Sequence, residues 1–197
     1  MTITDTDQTQ TKLRRIARRL PPRKQHSPLL RERRHLTEPE IEKMINCARN
    51  QGDLGLRNAV MVMLMYTHAL RVSEVIQLKW DDIDVEALSI NIDRLNRGVA
   101  SKQTLSAVEA GLLFRLRRSS LRDASYVFCS DKGVPLARRT IHFIVAKAAQ
   151  DADLDLNVHP HMLRHARALH LASSGFGVRT LKKFMGHRNV QNTQLYL

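Results

Sequence analysis

Near the C-terminal end of the chain, His161 and Arg164 stand three apart within the run HPHMLRHARALH, and His165 follows directly. On a helix, positions i and i+3 share a face, so these two side chains converge on one small target. Gly186-His187-Arg188 comes next, and Tyr196 lies nine residues beyond His187. Far upstream, His68-Ala69-Leu70-Arg71-Val72-Ser73-Glu74 sets another arginine at the junction of two helical stretches. The chemistry that suits such a set is phosphoryl transfer without a metal ion. Attack on a phosphodiester builds negative charge on the non-bridging oxygens. Arginine meets that charge with a planar fork that binds phosphate oxygens in pairs and stays protonated. Two arginines with histidine donors aimed at developing charge act as an oxyanion hole, and losing one such donor costs about two to three orders of magnitude in rate. A tyrosine phenol becomes a usable nucleophile once its proton has an acceptor, and a covalent intermediate conserves the bond energy for rejoining.

Plainer explanations exist for each residue taken singly. Arg71 and Glu74 at i and i+3 suit a structural ion pair. His187 suits a helix cap, and Tyr196 an exposed terminal aromatic. His161 and His165 have a metal-ligand spacing, but no nearby acid or cysteine completes a site and Arg164 between them repels a cation. The run Asp151-Ala152-Asp153-Leu154-Asp155-Leu156-Asn157 imitates the start of a calcium loop. It has leucine where the glycine belongs and Met162 in place of the bidentate glutamate, which excludes calcium. A two-metal nuclease needs acids grouped around the basic site. Asp81, Asp82 and Asp84 fall instead in an expected surface turn. No resident metal is expected.

Around these residues the chain must supply a fold. Its 197 residues suffice for one domain with a hydrophobic core plus an appendage. The formal net charge of +13 points to a polyanionic partner, and nucleic acid is the usual one. Cys47 and Cys129 lie outside any metal-type spacing and read as reduced thiols of a cytoplasmic protein. No apolar run approaches a membrane span, and the polar opening MTITDTDQTQT is no signal peptide.

Residues 1–35 form a distinct segment, with ten Lys and Arg against three acids. Leu13, Ile16, Ala17 and Leu20 recur at helical spacing before Pro21-Pro22. The segment is expected to be a basic, flexible DNA-contacting arm. A membrane-surface or targeting helix and a merely solvated tail are the alternatives. Residues 36–197 form the folded domain. Thr37-Glu38-Pro39-Glu40 marks a helix start, followed by a buried stripe of Ile41, Met44, Ile45 and Ala48. Helices are further expected over 59–70, 72–78, 106–119, 137–151, 160–174, 178–185 and 190–196. Strands are expected over 89–93, 99–105 and 126–130, with Asn96-Arg97-Gly98 turning between the first two. Gly175 and Gly177 serve as C-cap and turn residues. The fold class is therefore α+β, mostly helical, with a small three-stranded antiparallel sheet.

The pieces together resemble the tyrosine recombinase, or phage-integrase, family. Its first box is similar to Ala69-Leu70-Arg71-Val72-Ser73-Glu74. Its second is similar to His161-Met162-Leu163-Arg164-His165, then Met185-Gly186-His187, then Tyr196. The resemblance covers roughly residues 36–197. It implies that Arg71 and Arg164 clamp the scissile phosphate and that His161 and His187 donate hydrogen bonds and aid proton transfer. Tyr196 would then attack to leave a 3′-phosphotyrosine and a free 5′-hydroxyl. HPHMLRH, GHRN and the hairpin RLNRG look most like the short fimbrial phase-variation recombinases, which are DNA invertases. Like them, the chain has no room for a separate core-binding domain, and the basic arm is expected to supply part of that grip. Arg97, Arg138, Arg139, Lys182, Lys183 and Arg188 are expected to contact DNA, mainly its backbone, which positions the protein without reading sequence.

Two departures from the family pattern stand out. Members usually carry a catalytic lysine in the hairpin, the general acid toward the leaving 5′-oxygen, where this chain has Asn96 and Arg97. Arginine is a poor general acid, because its pKa stays above about 12. Either Lys102, further along the second strand, reaches the site, or Arg97 supplies charge only, or cleavage is slow; Lys102 is the preferred reading. Members also usually continue past the tyrosine with a tail that docks onto a neighbouring subunit. This sequence ends at Leu197, as expected of a fragment or a minimal form.

The expected function is site-specific recombination, inverting or integrating a DNA segment. The expected partners are double-stranded DNA with inverted-repeat sites, three further copies of the chain in a tetrameric synapse, and DNA-bending accessory proteins. No membrane and no nucleotide cofactor is expected, and the location would be the bacterial cytoplasm, on the nucleoid. One alternative is a DNA-binding regulator or architectural protein that keeps the fold but lacks strand exchange. Another is a topoisomerase using the same chemistry without a defined site.

Overall fold

A computed structural model describes residues 35–94, 99–119 and 124–196. Helix α1 (Glu38–Arg49) begins as its sequence requires. The Thr37 backbone N–H and Oγ1 both donate to Glu40 Oε2, at 2.9 and 2.8 Å, and Pro39 sits in the first turn. Its buried face is Ile41, Met44 and Ala48, with Ile45 half-buried. Helix α2 (Gly55–Thr67) is enclosed along nearly its whole length, which accounts for its uninterrupted run Ala59–Tyr66. It packs against α1, α4 (Ala107–Ser119) and α6 (Pro160–Ser173) as the central element of the core. Helix α5 (Arg138–Asp151) lies against α1 and places Ile141, Ile144, Val145 and Ala148 in the same core. The short α3 (Val72–Gln77) follows α2 directly, and α7 (Val178–Met185) and α8 (Gln191–Gln194) close the described chain.

The sheet is β1 (Ile83–Asp84), β2 (Ser89–Ile92) and β3 (Ser101–Thr104), antiparallel in the order β1-β2-β3. Ile83 pairs with Ile90, and Asn91 with Lys102. Ile90, Ile92 and Arg94 occupy alternate positions and are all buried, so the inward face of β2 runs straight into an arginine. The third strand is therefore Ile83–Asp84, not 126–130 as the sequence suggested. Residues 126–130 make only the isolated bridges Lys79↔Tyr126 and Cys129↔Pro135, because this segment crosses the core, burying Val127 and Phe128, and runs beside no full strand. The acids of the expected turn do form one: Asp82 accepts the Lys79 N–H, and Asp84 those of Glu86 and Ala87. The last helix is shorter than expected, Gln191–Gln194 only. Residues 1–34 of the expected arm and the expected turn Asn96-Arg97-Gly98 lie outside the described residues. Both cysteines are free thiols. Among the described residues, no helix is long and apolar enough to cross a membrane.

Candidate active site

Two helix ends build the site. At the C-terminus of α2, the Ala69 N–H donates to Tyr66 O and the Leu70 N–H to Met65 O, at 3.0 and 3.1 Å. At the C-terminus of α7, the Gly186 N–H donates to Lys183 O and the His187 N–H to Lys182 O. Each is a Schellman closure, which needs a left-handed residue at the turn. Gly186 supplies it at φ 62° and Ala69 at φ 51°. For alanine that conformation costs about 1 kcal/mol. Its buried methyl packs in the small cluster of Ala168, Leu171, Leu181 and Met185.

A closed helix end still leaves its last carbonyls without helical partners. Here they point at arginines. Arg164, on the second turn of α6, donates through Nη1 to Ala69 O and through Nη2 to Met185 O at 2.6 Å. Arg94 donates to His68 O (3.2 Å) and Ala69 O (3.4 Å) of the first helix end and to Phe184 O (2.8 Å) of the second. Carbonyls at a helix C-terminus carry partial negative charge, so they favour cations that burial would otherwise penalise. Glu74, buried on α3, adds a full negative charge. It accepts the Arg71 backbone N–H (2.8 Å), Arg71 Nη1 (2.8 Å) and Arg94 Nη1 (2.7 Å), with Arg164 Nη1 3.9 Å away. The ion pair expected of Arg71 and Glu74 thus exists inside the larger cluster. Burial, then the charges of Arg71 and Arg94, pull the Arg164 pKa down to about 9, which leaves it protonated at neutral pH.

The histidines and the tyrosine flank these guanidiniums. His187 is buried, and its Nδ1 lies 2.9 Å from the hydroxyl of the wholly buried Thr193. Burial and the three nearby arginines lower its pKa to about 4, so the ring is neutral at pH 7. Tyr196 is half-buried, its ring stacked 6.4 Å from that of His187 and tilted 5.0 Å from that of His165. Burial raises the pKa of its phenol, while Arg164 and Arg71 pull it the other way. His161 is on the solvent side of α6, its pKa lowered by desolvation and then by Arg164 and His159. Arg71, Arg164, His187 and Tyr196, from four separate stretches of sequence, thus belong to one site, and His161 stands at its rim. Among the described residues, no group of three His, Cys, Asp or Glu could hold a metal ion.

Not every expected residue joins them. Lys102 is exposed on β3, and among the described residues no hydrogen bond or ion pair ties it to the cluster. Arg97 lies outside the described residues. Arg138 and Arg139 open α5 on the exposed surface; Lys183 and Arg188 are exposed and Lys182 half-exposed around the end of α7. Other residues carry the site without having been singled out for it. Arg94 is the foremost. Gln103, next to Lys102 on β3, donates to Phe184 O (3.0 Å), and its amide oxygen lies 2.8 Å from His68 Nδ1. His68 Nε2 in turn faces Glu109 Oε1 at 3.2 Å; burial pushes the Glu109 carboxyl up, but the facing His68 ring and the hydrogen bonds from Thr67 and Ser106 hold its pKa at about 2. The available signal for Arg94 was its register, two residues beyond Ile92 on the inward face of β2.

Residues 34–197 match the phage integrase family. The type 1 fimbriae regulatory protein FimB of Escherichia coli (strain K12) is 35% identical over 170 residues, which are 84% of this chain and 84% of that protein. FimE of the same strain is 33% identical over 84% of this chain and 85% of its own length. Tyrosine recombinase XerC of Bacillus pumilus is 32% identical over 82% of this chain, which spans only 55% of that protein. Among solved structures, the XerA recombinase superposes with a TM-score of 0.71 at 26% identity, over 90% of this chain and 61% of that one. The pre-cleavage complex of XerH with its difH substrate gives 0.73 at 22% identity, over 84% and 50%, and speaks for the fold alone. The fold is that of a tyrosine recombinase catalytic domain. The chain belongs to the phage integrase family, and its enzyme class is that of the tyrosine-type site-specific recombinases.

Proposed function

We propose that this chain inverts or integrates a DNA segment flanked by inverted repeats, cutting each strand through Tyr196. The phenol oxygen attacks phosphorus as its proton passes to one of the site histidines, His161 or His187. The bond from phosphorus to the 5′-oxygen breaks, and that oxygen leaves as a hydroxyl after taking a proton from the general acid. The link formed is a 3′-phosphotyrosine, and attack by a 5′-hydroxyl reverses it. Arg71 and Arg164 bind the non-bridging oxygens, and His161 and His187 donate to them. The proton donor to the leaving oxygen is Lys102, brought in when DNA binds, with Arg97 supplying charge alone as the alternative. Arg97, Arg138, Arg139, Lys182, Lys183 and Arg188 hold the DNA backbone. Four copies of the chain assemble on two duplexes, with DNA-bending proteins assisting.

One observation carries this reading: three guanidiniums gather around one carboxylate beside a half-buried tyrosine. Among the described residues, that balance leaves two positive charges without a counter-ion in the cluster. A phosphodiester has one negative charge and gains a second as the nucleophile adds, so the excess suits the transition state better than the ground state. A regulator that binds DNA without cutting it is the second reading, favoured by the exposed, untethered Lys102.

The discriminating experiment uses a nicked suicide duplex built on the inverted-repeat sequence that the protein retains from a random DNA library. Wild type and Tyr196→Phe are incubated with it in EDTA and run on a denaturing gel. A covalent protein–DNA band from wild type that is missing from the Phe variant supports cleavage. Tight binding of that duplex with no band from either protein leaves the regulator reading instead. Lys102→Ala and Arg97→Ala then identify the proton donor.

A further inference from the structure

Arg94 is among the largest fully enclosed side chains of the protein, with 2% of its surface exposed. A guanidinium in such a place is tolerated only when its donors are used, because an unpaired buried charge is strongly disfavoured. Nη1 and Nη2 reach Glu74 and the carbonyls of His68, Ala69 and Phe184, while Nε has no partner among the described residues. The aliphatic stem passes directly beneath Gly186. A Cβ at that glycine would stand 2.5 Å from Arg94 Cγ, so stem and glycine fix each other's place. One side chain therefore spans both helix ends and the carboxylate between them. Among the described residues, none of its hydrogen bonds is with Arg71, Arg164, His161, His187 or Tyr196.

We propose that Arg94 is a positioning residue for strand cleavage: it holds Glu74 and the Phe184–Gly186 turn so that Arg71, Arg164 and His187 meet at one point. The proposal rests on the cleavage reading above. Its core is a competition for one oxygen. Arg94 Nη1 lies 2.7 Å from Glu74 Oε2, and Arg164 Nη1 lies 3.9 Å from the same oxygen. While Arg94 occupies that oxygen, Arg164 stays on Ala69 O and Met185 O. Without Arg94, a buried carboxylate beside an unobstructed guanidinium captures it, and Arg164 swings away from the phosphate. The released Phe184–Gly186 turn frees His187 at the same time.

The test compares wild type, Arg94→Met, Arg94→Lys, Glu74→Gln and the Glu74→Gln/Arg94→Met pair. The same nicked duplex is used, with thermal unfolding as a check on folding. Misplacement of this kind slows adduct formation about 100-fold in Arg94→Met. Affinity for the duplex stays within roughly threefold, because a buried guanidinium releases no counterions. Arg94→Lys is slowed as well, since one ammonium cannot span Glu74 and Phe184 O together. In the Glu74→Gln background, where no carboxylate remains to capture Arg164, Arg94→Met adds only the share of the defect that comes from the released Phe184–Gly186 turn, less than its effect in wild type; simple loss of packing would add in full. Folded Arg94→Met or Arg94→Lys that cleaves at the wild-type rate overturns the proposal, as does full additivity in the pair. If neither single variant folds, Arg94 is required by the fold and not by the site, and the proposal fails. No adduct from wild type sinks the cleavage reading itself, which is a different result from equal adduct in wild type and Arg94→Met.

Discussion

His187 shows how far the surroundings of one side chain decide its chemistry. Its imidazole faces Arg164, Arg71 and Arg94 from within a buried site, and its pKa falls to about 4. In the unfolded chain the same group titrates near about 6.5. Above that value both states are neutral and titration contributes nothing. Between about 6.5 and 4 the unfolded state takes up a proton that the folded state refuses, so stability falls as the pH falls. Below about 4 both states hold the proton and the loss is complete. The full cost, from about 6.5 down to about 4 at about 1.4 kcal/mol per pH unit, is on the order of 3 kcal/mol. Urea unfolding of wild type and His187→Asn at pH 7 and pH 5 measures it. The variant should lose visibly less stability on acidification; equal losses would assign the acid sensitivity to another group. A neutral His187 at working pH carries a single ring N–H, and its Nδ1 shares a hydrogen bond with the Thr193 hydroxyl.

At the scale of elements, the site consists of two closed helix ends whose carbonyls receive two arginines, and the left-handed residues that close them are not equivalent. Gly186→Ala brings a methyl to 2.5 Å from Arg94 Cγ at φ 62°. Left-handed strain and overpacking together should cost about 2–4 kcal/mol. Ala69→Gly relieves strain but removes a buried methyl, so stability should stay within about 1 kcal/mol of wild type. Chemical denaturation of both variants checks the contrast, and equal destabilisation would deny that Arg94 fills the space under Gly186. These helix ends also explain what could be read from the sequence. The nearness of Arg71, Arg164, His187 and Tyr196 to one another was legible, because spacing along helices and a recurrent motif report side chains. The capped start at Thr37 and the buried helix through Ala59–Tyr66 were legible for the same reason. The strand Ile83–Asp84 was not, since two residues show no alternation, and the apolar run 126–130 imitated a strand because it is buried. Arg94 was missed because its partners are mostly backbone carbonyls, which carry no residue identity. Only its place after Ile90 and Ile92 hinted at an inward side chain.

For the whole molecule, the governing quantity is a net charge of +13 that is unevenly spread. Residues 1–35 hold ten basic and three acidic side chains, so this short segment supplies seven of the thirteen excess charges. Within the folded domain, the site's three guanidiniums face one carboxylate among the described residues, and under the proposed function this local excess would act on one phosphate and would not account for affinity along a duplex. Grip and chemistry should therefore separate experimentally. Binding that neutralises phosphates releases counterions, and the logarithm of the association constant falls with the logarithm of salt by about 0.9 per contact. Replacing Arg14, Arg15, Arg18 and Arg19 by Gln in the full chain removes four such contacts if the segment lies on DNA. The salt slope should then fall by about three to four, while the rate of adduct formation at saturating protein stays unchanged. Titration of a labelled duplex at several salt concentrations gives the slope, and single-turnover cleavage gives the rate. An unchanged slope would make the segment a solvated tail and place the whole grip on the folded domain. A slope that falls together with the saturated rate would mean that the segment also positions the scissile phosphate.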